Sequence, residues 1–376
     1  MEDNKSTYPS FAPGDITPAT FTQLLDLYPA TLKESYKRKL VATHARKHRK
    51  HPERMNKEDP IFDKQTDEYF KLDEWRYQTI PRVLRDREEG KEDGEEKKKN
   101  GAIHLKQGES YGPLFMHKDE LVQLMEWKLK HGQYRPALAG MIKTNKPDVV
   151  RKTTCDAFKA FVDKTPTRDT LEETFPKKSQ DILMKPLRAV GTATASLILA
   201  VATEGKQNEI PFYSDDIYWW VCLDLFPGSE KNRYNYKKAT NRTRDDGRLD
   251  VKYNMEEYRE LYEEVFKLRD RLNNGEDDED SKEERRQFSC ADVERVAYVL
   301  KNFGVSGFPN AAEILEQYET TVDEARKEFD QNKHGKKKKS RDDDSDEEHT
   351  LGVEPSQSKK RKAGFAETGR GKRNKA

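Results

Sequence analysis

The sequence predicts an all-α protein, and three observations carry that expectation. Apolar residues recur at helical spacing in one segment after another. Few segments alternate apolar and polar residues over five or more positions, so strands are scarce. Thr192–Thr203 is apolar nearly all round, the pattern of a helix buried at the centre of a fold.

The elements follow in order. Residues 1–20 are rich in Pro, Ser and Thr and read as a flexible arm. Phe21, Leu24, Leu25 and Tyr28 predict a helix from Thr20 to about Val41, with Pro29 able to divide it. Tyr69, Phe70, Leu72, Trp75 and Tyr77 predict a buried helix over 67–85 that ends near Pro81. Residues 21–85 thus form the N-terminal helical part of the core. Residues 86–110 are a charge-dense linker without an apolar anchor.

A helical domain spans 111–330. Leu121, Leu124, Met125 and Leu129 mark a helix that starts near Asp119 and stops at Gly132. Further helices are expected over 136–145, 147–162, 180–187 and 192–203. Three more are expected over 255–272, 291–303 and 311–329. Residues 228–254 read as a polar basic loop with three tyrosines, and 273–286 as acidic and low in complexity. The tail 331–376 has the composition of disorder, with 14 Lys and Arg against 8 Asp and Glu.

Composition narrows the function classes. Charged residues make up 38% of the 376 residues and hydrophobic ones 33%, so the folded part must be richer in apolar residues than the average. Cys155, Cys222 and Cys290 lie far apart with no C-x-x-C pair, which argues against a structural zinc site or a cysteine-ligated cluster. No metal and no cofactor is expected. No stretch approaches the ~20 apolar residues needed to cross a bilayer, and Met1–Phe11 has no apolar run, so no membrane partner is expected. Loops and pairs of the type G-x-x-x-x-G-K-[ST], H-E-x-x-H and G-x-S-x-G are absent.

The most informative stretch is Ile182–Trp220. Ala189, Val190 and Gly191 form a tight turn between two apolar helical runs. Gly191 is expected to supply the backbone conformation that the turn demands. The unpaired amides that open the second helix, around Val190, Gly191 and Thr192, suit a phosphate, because the dipole and free N–H groups favour an anion. Two core helices joined by a tight turn would give the same local pattern. Asp215 and Asp216 follow. Either could act as a carboxylate in a site, with Asp215 the first choice, or Ser214, Asp215 or Asp216 could simply cap a helix over 217–226.

Leu187, Val190, Gly191, Thr194 and Ala195, followed by the acidic pair, resemble the L-x-G-V-G-x-x-T-A hairpin and essential Asp of the helix-hairpin-helix DNA glycosylase superfamily. The resemblance covers this segment alone. It implies a glycosylase-like helical fold, DNA as partner, and an Asp that assists water or stabilises charge on the sugar as a flipped-out base leaves. Three departures stand out. Ala189 replaces the first hairpin glycine, Ala193 stands where lyase-competent members place lysine, and the spacing to the acidic pair is longer. A monofunctional N-glycosylase without lyase activity is therefore the enzymatic form that the resemblance allows.

Trp127–Pro136, WKLKHGQYRP, resembles a string in uncharacterised eukaryotic proteins with the same hairpin. Lys128, Lys130 and Arg135 are candidates for phosphate contact, and Trp127 or Tyr134 for base stacking or for packing. Lys37–Arg54 is basic and could track a phosphate backbone or form a solvated face. In the tail, KKKKSR at 336–341, KKRK at 359–362 and RGKR at 370–373 resemble nuclear localisation signals, so the nucleus and the import machinery are expected. The leading expectation is a nuclear DNA-binding protein with a glycosylase-like fold, with RNA as an alternative nucleic acid. The competing expectations are a monofunctional glycosylase and a protein-interaction scaffold.

Overall fold

Helix order is set by local signals that the chain repeats from end to end. The computed structural model describes residues 8–49, 59–91, 114–132, 135–224, 251–274 and 286–317. Residues 1–327 cluster as one unit, and 328–376 lie outside the described residues. Among the described residues the regular structure is helical throughout, with no strand. The linker beyond residue 91, most of the basic loop, the acidic segment and the tail with its basic clusters also fall outside the described residues.

Pro29 divides the first predicted helix in two. α1 runs Pro18–Asp26 and α2 runs Tyr28–Lys47, with Pro29 in the first turn of α2, where a missing N–H costs nothing. Thr17 caps α1 by accepting a hydrogen bond from the Thr20 amide. Residues 8–17 are not a flexible arm. Phe11 and Ile16 are fully buried, and Trp220 Nε1 donates to the Phe11 carbonyl at 2.8 Å. Two apolar residues among Pro and Ser sufficed to dock the segment.

Pro81 does not end its helix. α3 (Pro60–Glu74) passes through a π-helical turn, Trp75–Thr79, into α4 (Ile80–Glu88). The wider turn places Pro81 at the start of a new helical register, where its missing N–H is harmless. The π turn also carries Arg76, which is 1% exposed and pairs with Glu294 at 2.8 Å.

The middle of the chain follows its signals closely. α5 is Lys118–His131, capped by Gly132, with the His117 amide donating to Glu120. α6 is Pro136–Lys143, α7 Pro147–Lys159, α8 Leu171–Thr174 and α9 Lys177–Met184. α9 stops before Pro186, so Leu187 is buried from the turn and not from the helix. α10 is Thr192–Thr203, as the sequence predicts. Ala195, Leu197, Ile198 and Leu199 have no exposure, and α10 packs against α4, α5 and α9. α11 begins at Asp215 and continues through a π turn, Tyr218–Cys222.

α12 (Met255–Asn274) and α13 (Cys290–Lys301) close the core. Ser289 and Asp292 form a reciprocal capping box at the start of α13. α1, α2 and α11 all pack against α13, which brings the two ends of the described chain together. Trp127, Trp220, Tyr69 and Tyr213 are among the largest side chains with almost no exposure. No helix of the described residues is long and apolar enough to cross a membrane.

Candidate functional site

The turn before α10 is built differently from the sequence expectation. Gly191 has φ −105° and ψ −174°, an extended conformation open to any residue. The left-handed residue is Ala189, at φ 64°. An L-residue there costs roughly 1–2 kcal/mol. Asn145, itself buried, holds the turn in place. Its Oδ1 accepts from the Arg188 amide at 2.8 Å and its Nδ2 donates to the Arg188 carbonyl at 3.1 Å.

Gly191 therefore serves neither turn conformation nor internal packing. A Cβ added there would meet nothing within 4 Å. It stands at the N-cap of α10 without a side chain capping the helix. Val190 and Thr192 flank it with buried side chains, the Thr192 hydroxyl facing Met184 Sδ at 3.8 Å. Only Gly191 of the three is exposed, so what faces outward there is backbone, at the positive end of the central helix.

Asp215 and Asp216 do different jobs. The cap of α11 is Ser214, whose Oγ accepts from the Ile217 amide at 3.2 Å. Both aspartates follow it in the first turn, where negative charge favours the helix dipole. Asp216 turns inward and accepts a hydrogen bond from Lys301 Nζ at 2.6 Å, with 5% of its side chain exposed. Burial pushes its carboxyl above the usual range against the pull of Lys301. Asp215 is half-buried and turns the other way, accepting from the Tyr253 hydroxyl at 2.5 Å.

Around Asp215 the fold gathers residues from four segments. Lys128 of α5 donates from Nζ to Thr194 Oγ1, in the first turn of α10, at 2.8 Å. Burial, reinforced by the nearby Arg135 charge, lowers the Lys128 ammonium to about 8, with Asp215 opposing. Arg135, exposed at the N-cap of α6, lies over the Tyr253 ring at 5.8 Å. Tyr253 is held at φ 53°, unusual for an aromatic residue, with its amide donating to Glu257 Oε2 at 2.9 Å. Burial and the Asp215 charge raise its hydroxyl.

Lys128, Arg135 and Asp215, far apart in sequence, thus form one cluster beside the α10 N-terminus. Asp216 is excluded from it. Sequence reasoning missed Tyr253, whose only signal was the density of tyrosines in its loop. It also missed Lys301, a basic residue in the last turn of a helix, which is a common and unspecific position.

Several of the remaining candidates are engaged within the fold. Trp127 is fully buried and donates from Nε1 to Asp73 Oδ1 at 2.8 Å. Tyr134 lies outside the described residues. Within the basic stretch, Lys37 bonds Asp63, and Lys39 donates to the Lys130 and Gly132 carbonyls that end α5. Lys130 itself pairs with Glu126 along the α5 surface. Comparison with known proteins returns no match: no family model, no curated protein and no solved structure.

Proposed function

We propose that this protein binds duplex DNA, with the α10 N-terminus facing a backbone phosphate and the Lys128–Arg135–Asp215 cluster facing the adjoining nucleotide. One observation carries the reading. Two cations from α5 and α6 and a half-buried carboxylate converge beside a helix start whose glycine faces open space. Exposed backbone N–H groups with neighbouring Lys and Arg suit a phosphodiester, and such contacts position a duplex without reading its sequence. The hairpin's resemblance to DNA glycosylases points the same way, and so does the basic tail, which suits nuclear import.

The test is fluorescence anisotropy of a labelled duplex across a range of salt. The affinity should fall steeply as salt rises, and each of Lys128→Ala and Arg135→Ala should reduce the slope by about 1. An RNA duplex and a single strand run beside it decide between nucleic acids. Absence of binding at low salt refutes the reading and favours an interaction scaffold.

Asp215 favours a second reading, a monofunctional DNA glycosylase. It keeps exposure, which Asp216 lacks, and Lys128 and Arg135 stand near it, as suits a carboxylate assisting water at a sugar. A base-release screen over damaged and mismatched duplexes tests it, with activity present in the wild type and absent in Asp215→Asn.

A further inference from the structure

We infer that Thr165 is a phosphorylation site for a proline-directed protein kinase, one that takes an exposed threonine followed by Pro and, two residues beyond the Pro, by a cation. The site is separate from the candidate DNA-binding cluster and does not depend on it.

The sequence narrows the acceptors to two. Of the 17 prolines, only Pro18 and Pro166 follow a Ser or Thr. A Pro after the acceptor brings no N–H that a kinase cleft must pair. It also keeps the acceptor out of the α-helical region, in the extended form that a cleft can hold. Thr165-Pro166-Thr167-Arg168 adds a cation for the kinase to read, whereas Thr17-Pro18-Ala19-Thr20 has a neutral residue at that place.

The fold separates the two further. Thr17 caps α1: its Oγ1 accepts from the Thr20 amide at 3.2 Å and donates to the Thr20 hydroxyl at 3.0 Å. Pro18 is already the first residue of that helix, and Ile16 on the other side is fully buried. To use this hydroxyl a kinase has to uncap the helix, at about 1 kcal/mol, and undock Ile16. Thr165 carries no such duty. It lies between α7 and α8, where Thr165–Thr167 have no regular structure and Asp163, Lys164, Thr165, Thr167 and Arg168 are all exposed. Its hydroxyl faces Gln207 Oε1 at 3.4 Å, longer than an ordinary O–H···O bond. The loop itself is held. Asp163 Oδ1 accepts from the Asn208 amide at 3.2 Å, and Asn208 Nδ2 donates to the Val162 and Thr174 carbonyls at 3.0 and 2.9 Å. A free hydroxyl is thus presented on an anchored, exposed segment.

ATP is the donor. Thr165 Oγ1 forms a bond to the γ-phosphorus as the bond from that phosphorus to the β,γ-bridging oxygen breaks, its electron pair leaving on ADP. The hydroxyl proton passes to the carboxylate base of the kinase. The product adds a charge of about −1.5 to −2 beside Lys164 and Arg168. Lys164 is available to it, since its pair with Glu173 at 2.9 Å is exposed on both sides and weak. Gln207 lies beyond the C-terminal end of α10, so the phosphate stands at the other end of that helix from Gly191.

The test incubates the folded full chain with ATP and a purified cyclin-dependent kinase, beside a synthetic peptide of residues 158–174, and maps the phosphate by mass spectrometry. The expected result is phosphate on Thr165 of the folded chain, at a rate within about tenfold of the peptide's, with Thr17 unmodified. Thr165→Ala should abolish it, and Arg168→Ala should slow it about tenfold. Mapping in the wild type keeps the test decisive even where a variant folds poorly. Phosphate on the peptide but not on the folded chain overturns the inference, because the loop then withholds its acceptor. Phosphate on neither, or on the chain at other residues with Thr165 bare, overturns it as well.

Discussion

Replacing the two adjacent aspartates one at a time should give two different proteins. In Asp216→Asn the lost carboxylate is 5% exposed and pairs at 2.6 Å with Lys301, which is 32% exposed. Removing one member of a fully buried pair costs about 3–5 kcal/mol, because the other charge is stranded. Lys301 can turn its ammonium to water and asparagine keeps an acceptor, so about 2 kcal/mol is the better figure. Loss of first-turn charge adds about 0.3–1 kcal/mol. Asp215→Asn loses only that last contribution, since an amide oxygen still accepts from Tyr253.

At about 2–4 °C per kcal/mol, the figure for a folded unit of about 150–250 residues, the expected loss in Tm is about 5–10 °C for Asp216→Asn and under about 4 °C for Asp215→Asn. Thermal unfolding followed by far-ultraviolet circular dichroism measures both. Anisotropy adds a second readout. Asp215→Asn removes a negative charge beside Lys128 and Arg135 and should tighten DNA binding at low salt. Equal destabilisation by the two variants, or a greater loss for Asp215→Asn, would refute the division of labour between the carboxylates.

Three further outcomes follow from the same geometry. Ala189→Gly relieves a left-handed alanine at φ 64° and should stabilise the protein by up to about 1 kcal/mol, after the entropy that glycine adds to the unfolded chain, as read by urea denaturation. Gly191→Ala should change stability by no more than about 1 kcal/mol yet weaken DNA binding, since its Cβ meets nothing inside the protein and projects where a phosphate would sit. Burial raises the Asp73 carboxyl from 3.8 to about 6, against hydrogen bonds from Trp127 and Tyr28. The folded state therefore holds that proton more tightly than the unfolded chain. The resulting stability, about 3 kcal/mol, is present below about pH 4 and lost as pH rises through 6. Asp73→Asn should flatten that dependence in urea midpoints measured between pH 4 and 7.

The helices were legible because their signals are local. Pro29, Gly132, Pro136 and Pro147 sit where a missing N–H or a free backbone matters within a few residues, and α10 could be bounded from its own sequence. Pro81 misled because its effect depends on register. A π turn one step earlier moved it from a helix interior to a helix start. Phe11 and Ile16 misled because composition around them was that of a loop, while Phe11 is held by residues far along the chain, Trp220, Phe303 and Phe308.

By itself, the sequence determined the helical class, the bounds of α10, and the presence of two adjacent carboxylates a short way beyond it. Only the tertiary structure decided which carboxylate lies with Lys128 and Arg135. Neighbours on a helix point about 100° apart, so Asp215 and Asp216 cannot share a role, and nothing within α11 says which side is the core. α13 settles that by bringing Lys301 to Asp216, and α5 settles the rest by bringing Lys128 to Thr194. Both contacts join residues far apart in the chain. They exist because the elements bury their apolar faces against one another, which no local pattern records.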